Sequence, residues 1–338
     1  MKILIVGPSW VGDSVISQSL LKVISSKFKE VVVDVLSPGW TIDVFKRMAE
    51  VSETILLPFA HGDIKIKGRV EFGHNLRNRN YDQAIVLPNS LKSSLIPFFA
   101  NIPLRTGWKG EMRYFLLNDI RKLNKLNYPR MVDRFVSLAL KEDEEILTQI
   151  PYPKLTVDKN NLINLSNSFR FQLDLPTIAL CPGAEFGPSK KWPAIYFAEV
   201  ANFYLTKGWQ VFLLGSTNDE TTGYEIEENI TNKGATIFNL IGKTKIQDTI
   251  DTLSFCRLVL TNDSGLMHVA ASVDVNLIVL YGPTSPLFTP PLSSKALVIK
   301  KNEDYSKIRY GDLEDGYHQS LQDIKPEEVL DALLEFGP

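Results

Sequence analysis

The run Arg257–Leu260, RLVL, leads into Thr261–Ala271, TNDSGLMHVAA, and after a short loop Asn276–Gly282, NLIVLYG, follows. Two apolar runs joined by a short helical stretch read as strand, helix, strand, the unit from which parallel sheets are built. The first run ends on an acid, a hydroxyl and a glycine. In a doubly wound sheet, ligands bind beyond the carboxyl ends of the strands, where the next helix begins. Backbone N–H groups at such a helix start hold an anion, and Gly265 lets a phosphate approach closely. Ser264 adds a hydroxyl, and His268, four residues on, lies on the same helix face. Asp263 or Ser264 could equally serve as a plain N-cap. The loop YGPTSP, 281–286, closes the next strand in a similar way.

The alternation extends outward from this stretch. Short β-rich runs lie at 3–6, 31–36, 53–58 and 83–88, and again at 177–182, 210–215, 235–242, 257–262, 276–282 and 296–300. They are near-continuous in Val, Ile and Leu, which marks strands covered on both faces. Helical patterns such as SVISQSLLKVISSKF and PAIYFAEVANFYLTKG stand between them, the second closed by Gly208. The expected fold class is α/β, with two Rossmann-like, doubly wound parallel-sheet domains facing a central cleft. The pattern pauses from about Glu142 to Asp174, where Pro151, Pro153 and DKNNLINLSNSF read as a linker. This divides the chain into an N-terminal domain, 1–160, and a C-terminal domain, 161–320. A closing helix within 321–338, with Pro326 at its first turn, is expected to pack back toward the N-terminal domain.

Bulk properties narrow the function. A chain of 338 residues suits two domains, and a net charge of −2 argues against wholesale nucleic-acid binding. Two cysteines in or beside apolar runs, Cys181 and Cys256, read as inert core thiols. No apolar stretch approaches the ~20 residues of a membrane span, and MKILIVGPSW reads as a first strand rather than a signal peptide, so a cytoplasmic protein is expected. The charge is unevenly spread. Between residues 61 and 130, thirteen lysines and arginines face five acids, a surplus of eight. Such a block fits either an anionic partner or a solvated basic surface.

Two more clusters carry chemistry. CPGAEFGPSKKWP, 181–193, follows a strand directly, and Lys190 or Lys191 can neutralise a diphosphate, while the other is free to be solvated. GPSWVGDSV, 7–15, joins the first strand to the first helix. Its glycine spacing is neither a dinucleotide fingerprint nor a P-loop, which disfavours a nicotinamide enzyme. Asp13 there is either a helix-start carboxylate or a base able to take a proton from a hydroxyl. The four histidines, His61, His74, His268 and His318, are scattered, so no metal or other cofactor is expected.

Taken together, MKILIVGPSWVGD, GHNLRNRNYD, VLPNSLKSSLIPFFANIPLRTGWKGEMRYFLLND, CPGAEFGPSKKWP, TNDSGLMHVAA and LYGPTSPLFTPPLS cover most of the chain in order. The chain resembles the ADP-heptose–lipopolysaccharide heptosyltransferases of glycosyltransferase family 9, with the GT-B fold. The wording PSWVGD and AEFGPSKKWP resembles most the type II branch, with types I and III as alternatives. The resemblance implies inverting, metal-independent transfer of L-glycero-D-manno-heptose from ADP-L-glycero-D-manno-heptose. The implied acceptor is the first heptose of heptosyl-Kdo2-lipid A, at the inner face of the cytoplasmic membrane.

By the same resemblance, Asp13 is the general base and Lys190 the second catalytic residue. Gly12, Gly183, Ser189, Lys191, Gly215, Asp219, Asp263, Ser264, Gly265 and His268 fall on the donor side, with Glu220 as an alternative to Asp219. Ser9, Trp10, Lys65, Arg69, Asn89 and Lys92 are candidates on the acceptor side. Two readings from other classes remain beside this one: a GT-B sugar-nucleotide epimerase, and a binding protein without catalysis, against which Asp13 and Lys190 both speak.

Overall fold

The computed structural model describes residues 1–60, 62–141, 144, 147–232, 234, 236–303 and 305–337. His61, Glu142 at the head of the expected linker and Ala235 at the head of an expected strand lie outside them. The chain forms two units, Met1–Lys154 and Leu155–Pro338.

The first unit carries β1 (Lys2–Val6), α1 (Val11–Lys27), β2 (Val32–Pro38), α2 (Gly39–Phe45), β3 (Glu53–Leu57), α3 (Ile66–Leu76), β4 (Gln83–Val86), α4 (Leu91–Phe99), β5 (Leu104–Trp108), β6 (Asp119–Arg121) and α5 (Met131–Val136). Its sheet runs β3-β2-β1-β4-β5-β6, parallel throughout. The second unit carries α6 (Lys159–Phe169), β7 (Thr177–Cys181), α7 (Ala194–Thr206), β8 (Gln210–Leu213), α8 (Glu220–Glu228), β9 (Ile237–Asn239), α9 (Ile246–Phe255), β10 (Leu258–Asn262), α10 (Gly265–Ser272), β11 (Asn276–Tyr281), β12 (Ala296–Lys300), α11 (Gln319–Gln322) and α12 (Pro326–Leu334). Its sheet, again parallel, runs β12-β11-β10-β7-β8-β9. Both are doubly wound sheets. Every residue of β7 and β10 is buried, as apolar runs without alternation require.

Ten strands fall where the apolar runs place them. β5 (LRTGW) and β6 (DIR) carry no Val/Ile/Leu run and escape that pattern. The expected linker DKNNLINLSNSF is instead largely α6. Asp158 caps it by accepting from the N–H groups of Asn160 and Asn161 at 2.9 and 3.2 Å, and only Leu165 of the helix is buried. A helix that buries so little has a polar sequence and looks like a linker. The units divide at Lys154 rather than at the expected 160 because Leu155 already docks on the second unit, its N–H donating to Ser272 O at 3.1 Å.

The second unit's core gathers Trp192, Phe197, Val211 and Leu280 at zero exposure. Side chains of this size contribute roughly 1.5–3 kcal/mol each when fully buried. The Trp192 indole N–H donates to Ile324 O at 2.9 Å and so fastens the start of α12. Val329 and Leu333 of α12 are fully buried in this same core. Cys181 and Cys256 are free and buried, and burial pushes both thiols upward, so they remain protonated and inert.

The basic block is only partly a surface. Arg77, Arg105, Arg113 and Arg121 spend guanidinium N–H groups on backbone carbonyls of Phe99, Leu116, Pro88 and Ser137. An arginine fork can tie down several loop carbonyls at once, which a lysine cannot. Arg113 and Arg121 are buried and act as internal pins, Arg105 is half-buried, and Arg77 makes its contact at the surface.

Candidate functional site

The strand order of the first sheet changes direction between β1 and β4, so the loops leaving these strands diverge there. Both loops line a cavity of about 390 Å3. Asp13, in the first turn of α1, lies on its wall, where the helix dipole favours a carboxylate. Among the described lining residues Asp13 is the one carboxylate, and Arg69, Lys92 and Arg134 bring three cations. Trp10, Trp40, Phe59 and Trp108 give flat apolar walls. The Trp40 indole N–H holds Ser9 by donating to its carbonyl at 2.7 Å. Arg69 is 3% exposed and lies 4.5 Å over the Phe59 ring. Its Nε and Nη2 donate to Ile64 O and Asp63 O at 2.8 and 3.0 Å. Arg113 braces the β4 loop from behind, donating to Pro88 O and Trp108 O at 2.6 Å each, and burial brings its guanidinium down to about 10.

In the second sheet the direction changes between β7 and β10. Asn262 ties the two outgoing loops together: its Nδ2 donates to Pro182 O at 2.8 Å and its Oδ1 accepts the Trp192 N–H at 3.1 Å. This brings Lys190 Nζ to 2.5 Å from Asp263 Oδ2, which also accepts from Thr284 Oγ1 at 2.6 Å. A second pair lies alongside in sequence, Lys191 Nζ to Asp219 Oδ1 at 2.9 Å. Asp219 Oδ2 accepts the Ser216 N–H and hydroxyl at 3.1 and 2.9 Å. Gly183 and Gly215 make room for it: a Cβ on Gly183 would stand 2.3 Å from Asp219 Oδ2, and one on Gly215 3.2 Å. Helix α10 begins behind Ser264 with no side-chain cap. Asp263 is turned to Lys190 and Thr284, so neither residue supplies a side-chain cap to α10.

The sequence model of glycosyltransferase family 9 (heptosyltransferase) matches residues 69–318. The chain belongs to glycosyltransferase family 9. It is 46% identical to lipopolysaccharide heptosyltransferase 2 of Escherichia coli (strain K12), over 98% of this chain and 97% of that one. It is 47% identical to lipooligosaccharide heptosyltransferase 2 of Haemophilus influenzae, over 99% of both. The solved structure of E. coli ADP-heptose lps heptosyltransferase II superposes with a TM-score of 0.89 at 42% identity, covering 99% of this chain and 98% of that one. This family 9 chain is therefore an enzyme, a glycosyltransferase with the two-sheet GT-B architecture.

Within this family 9 enzyme the candidate residues fall into two groups. Ser9, Trp10, Asp13, Arg69, Asn89 and Lys92 share the first unit's cavity. Lys65 does not line it: it sits at φ 36°, is 61% exposed along its side chain and pairs with Asp63 at 2.8 Å. Gly12 lies beside Asp13 in α1, in the first unit, apart in sequence and unit from the other donor-side candidates. Ser189 is fully buried and its hydroxyl donates to Ile308 O at 2.6 Å, so it anchors the chain at 308 rather than facing a ligand. Neither lysine of the 190–191 pair is left to solvent, since each meets a buried carboxylate. Asp219 rather than exposed Glu220 meets Lys191. Thr284 and Asn262 lie inside stretches already singled out, but nothing in one sequence says which hydroxyl or amide turns inward. Arg134, Trp40 and Phe59 carry no motif at all. Among the described residues no three His, Cys, Asp or Glu side chains gather to hold a metal, and no helix is long and apolar enough to cross a membrane.

His268 is 6% exposed, and burial depresses its imidazole from 6.5 to about 4, with Asp263 opposing and Lys190 reinforcing the shift. It is neutral at pH 7. The unfolded chain takes up this proton near pH 6.5 while the folded chain refuses it until about pH 4. Acidification through that window therefore removes stability, about 3 kcal/mol once pH 4 is reached. His268→Gln will show a shallower fall of Tm between pH 7 and 4 than the parent. Parallel curves would mean that His268 does not titrate in this window.

Proposed function

We propose that this enzyme transfers L-glycero-D-manno-heptose from ADP-L-glycero-D-manno-heptose to the first heptose of heptosyl-Kdo2-lipid A, with inversion and without a metal. One observation carries the reading: among the described lining residues a single carboxylate, Asp13, stands in a cavity whose other charged groups are cations. An inverting transfer needs one base on the acceptor hydroxyl. An acceptor rich in carboxylates and phosphates needs cations around it. Identity of 46% and 47% to heptosyltransferases 2 over nearly the whole chain supports this acceptor over those of the sister branches.

In the proposed reaction the acceptor oxygen bonds to C1 of the heptose as its proton passes to Asp13. The bond from C1 to the β-phosphate oxygen breaks, and its electron pair leaves with ADP. The α10 start at Ser264–Gly265 and Lys190 receive that charge. Asp263 and Thr284 hold Lys190 in place, and Asp219 with Lys191 serves the adenosine side. His268, neutral, contributes shape and a ring N–H rather than charge. An acyl-anchored acceptor puts the enzyme against the inner face of the cytoplasmic membrane.

The stereochemistry tests this reading. NMR of the product will show the new linkage with the anomeric configuration opposite to that of the donor. Retention would exclude a single in-line displacement and with it the role of Asp13 as that displacement's base. At the nucleotide end, Gly183→Ala will push Asp219 off Lys191 and weaken ADP binding by about tenfold in calorimetric titration, a loss typical of one displaced charged contact. An unchanged affinity would detach Asp219 from the nucleotide.

A further inference from the structure

The three most exposed large apolar side chains of the described residues are Met112, Phe115 and Leu126, at 82%, 89% and 90%. All three fall within fifteen residues of one another, in the two segments that follow β5 and β6. Tyr114, 52% exposed, lies among them. Isolated exposed apolar residues are ordinary, but a cluster at this level of exposure marks a surface that meets something. The two segments are joined at their roots, where the Lys109 N–H donates to Arg121 O at 2.7 Å. Both border the Asp13 cavity: Leu123 lines it, and the Glu111 N–H donates at 3.0 Å to Asn89 O, on its wall.

Lys109, Lys122 and Lys125 are interleaved with these apolar tips and exposed. None of the three has an ion-pair partner among the described residues, and Lys109 lies 5.5 Å over the Tyr114 ring. The acids on the same two segments are engaged elsewhere: Glu111 accepts the Leu91 N–H at 2.8 Å, and Asp119 pairs with Arg121 at 2.9 Å. Apolar tips that project singly, with unpaired lysines between them, suit an interface of acyl chains below and anionic headgroups above. A protein partner would more often meet a continuous, packed patch.

We infer that the rim formed by Met112, Phe115 and Leu126, with Lys109, Lys122 and Lys125, docks the first unit on an anionic lipid bilayer beside the acceptor cavity. The inference deepens the proposed function by assigning the membrane contact to named residues, but vesicle binding requires no substrate and so is tested apart from it.

The test is co-sedimentation of the full chain with vesicles of phosphatidylcholine alone and of phosphatidylcholine with one quarter phosphatidylglycerol. The parent will bind the anionic vesicles and leave the neutral ones largely unbound. A Phe115→Ser/Leu126→Ser variant will lose about tenfold or more in partitioning, because each change removes an inserted side chain. A Lys109→Gln/Lys122→Gln/Lys125→Gln variant will lose the preference for anionic lipid, and salt will weaken parent binding. Both variants change exposed positions, and an unaltered Tm will show that they remain folded. On a deacylated, water-soluble acceptor the Phe115→Ser/Leu126→Ser variant will keep the parent's turnover, while on vesicle-embedded acceptor it will be slower.

Equal sedimentation of parent and variants would overturn the inference. So would a parent dimer, seen by sedimentation velocity, that the serine variant abolishes, since the rim would then meet a second copy. Vesicle binding without turnover on any acceptor would leave the docking rim standing and remove the proposed reaction instead.

Discussion

Asp13→Asn will lower kcat by about a hundredfold to ten-thousandfold, the usual contribution of a positioned general base. The affinity for ADP will stay within about twofold, because the nucleotide groups proposed above lie in the second unit. Asparagine keeps the size and the place in the first turn of α1 but cannot take the proton. Its loss of charge at a helix start costs only about 0.3–1 kcal/mol, so Tm will barely move. Rapid-quench assays of the variant with saturating donor and acceptor will separate the two roles. If turnover persists, Asp13 is a helix-start carboxylate and the base lies elsewhere.

Lys190→Ala will cut kcat/KM for the donor by about a hundredfold to a thousandfold, as removal of a preorganised charge-stabilising donor does elsewhere. It will also destabilise the fold, since Asp263 is 5% exposed and loses its cation. Breaking a buried pair from one side costs about 3–5 kcal/mol. The double variant Lys190→Ala/Asp263→Asn removes both charges and will recover much of the lost Tm, while activity stays low. Recovery of activity along with Tm would show that Lys190 supports the fold and not the departing diphosphate.

Much of this was legible in the sequence because parallel strands buried on both faces must be apolar without interruption. RLVLTN and TIALC could hardly be anything else, and their loops could then be placed at the carboxyl ends where ligands gather. β5 and β6 could not be found that way, for Arg105, Thr106 and Gly107 occupy a strand whose burial depends on neighbours far away in sequence. Helix α6 was hidden for the converse reason, as its polar residues face water and only Leu165 anchors it. In the site, residue types in TNDSG and GPSKKW pointed to an anion, but not to which carboxylate each lysine would meet. The Lys190–Asp263–Thr284 and Lys191–Asp219 arrangements depend on Asn262 drawing two loops together, a contact between residues eighty positions apart. Lys65 lies outside the Asp13 cavity, a direction that a lysine in a basic run does not reveal. Arg113 shows the same limit, since a charged residue in an aromatic-rich loop reads as surface until its hydrogen bonds to Pro88 and Trp108 are seen.

The most direct test of the central claim is ADP release by the purified enzyme from ADP-L-glycero-D-manno-heptose in EDTA, with Kdo2-lipid A carrying either one heptose or none. The account predicts release with the mono-heptosylated acceptor and none above background with the other. Release only with the acceptor that lacks heptose, or release that requires an added divalent metal, would contradict it.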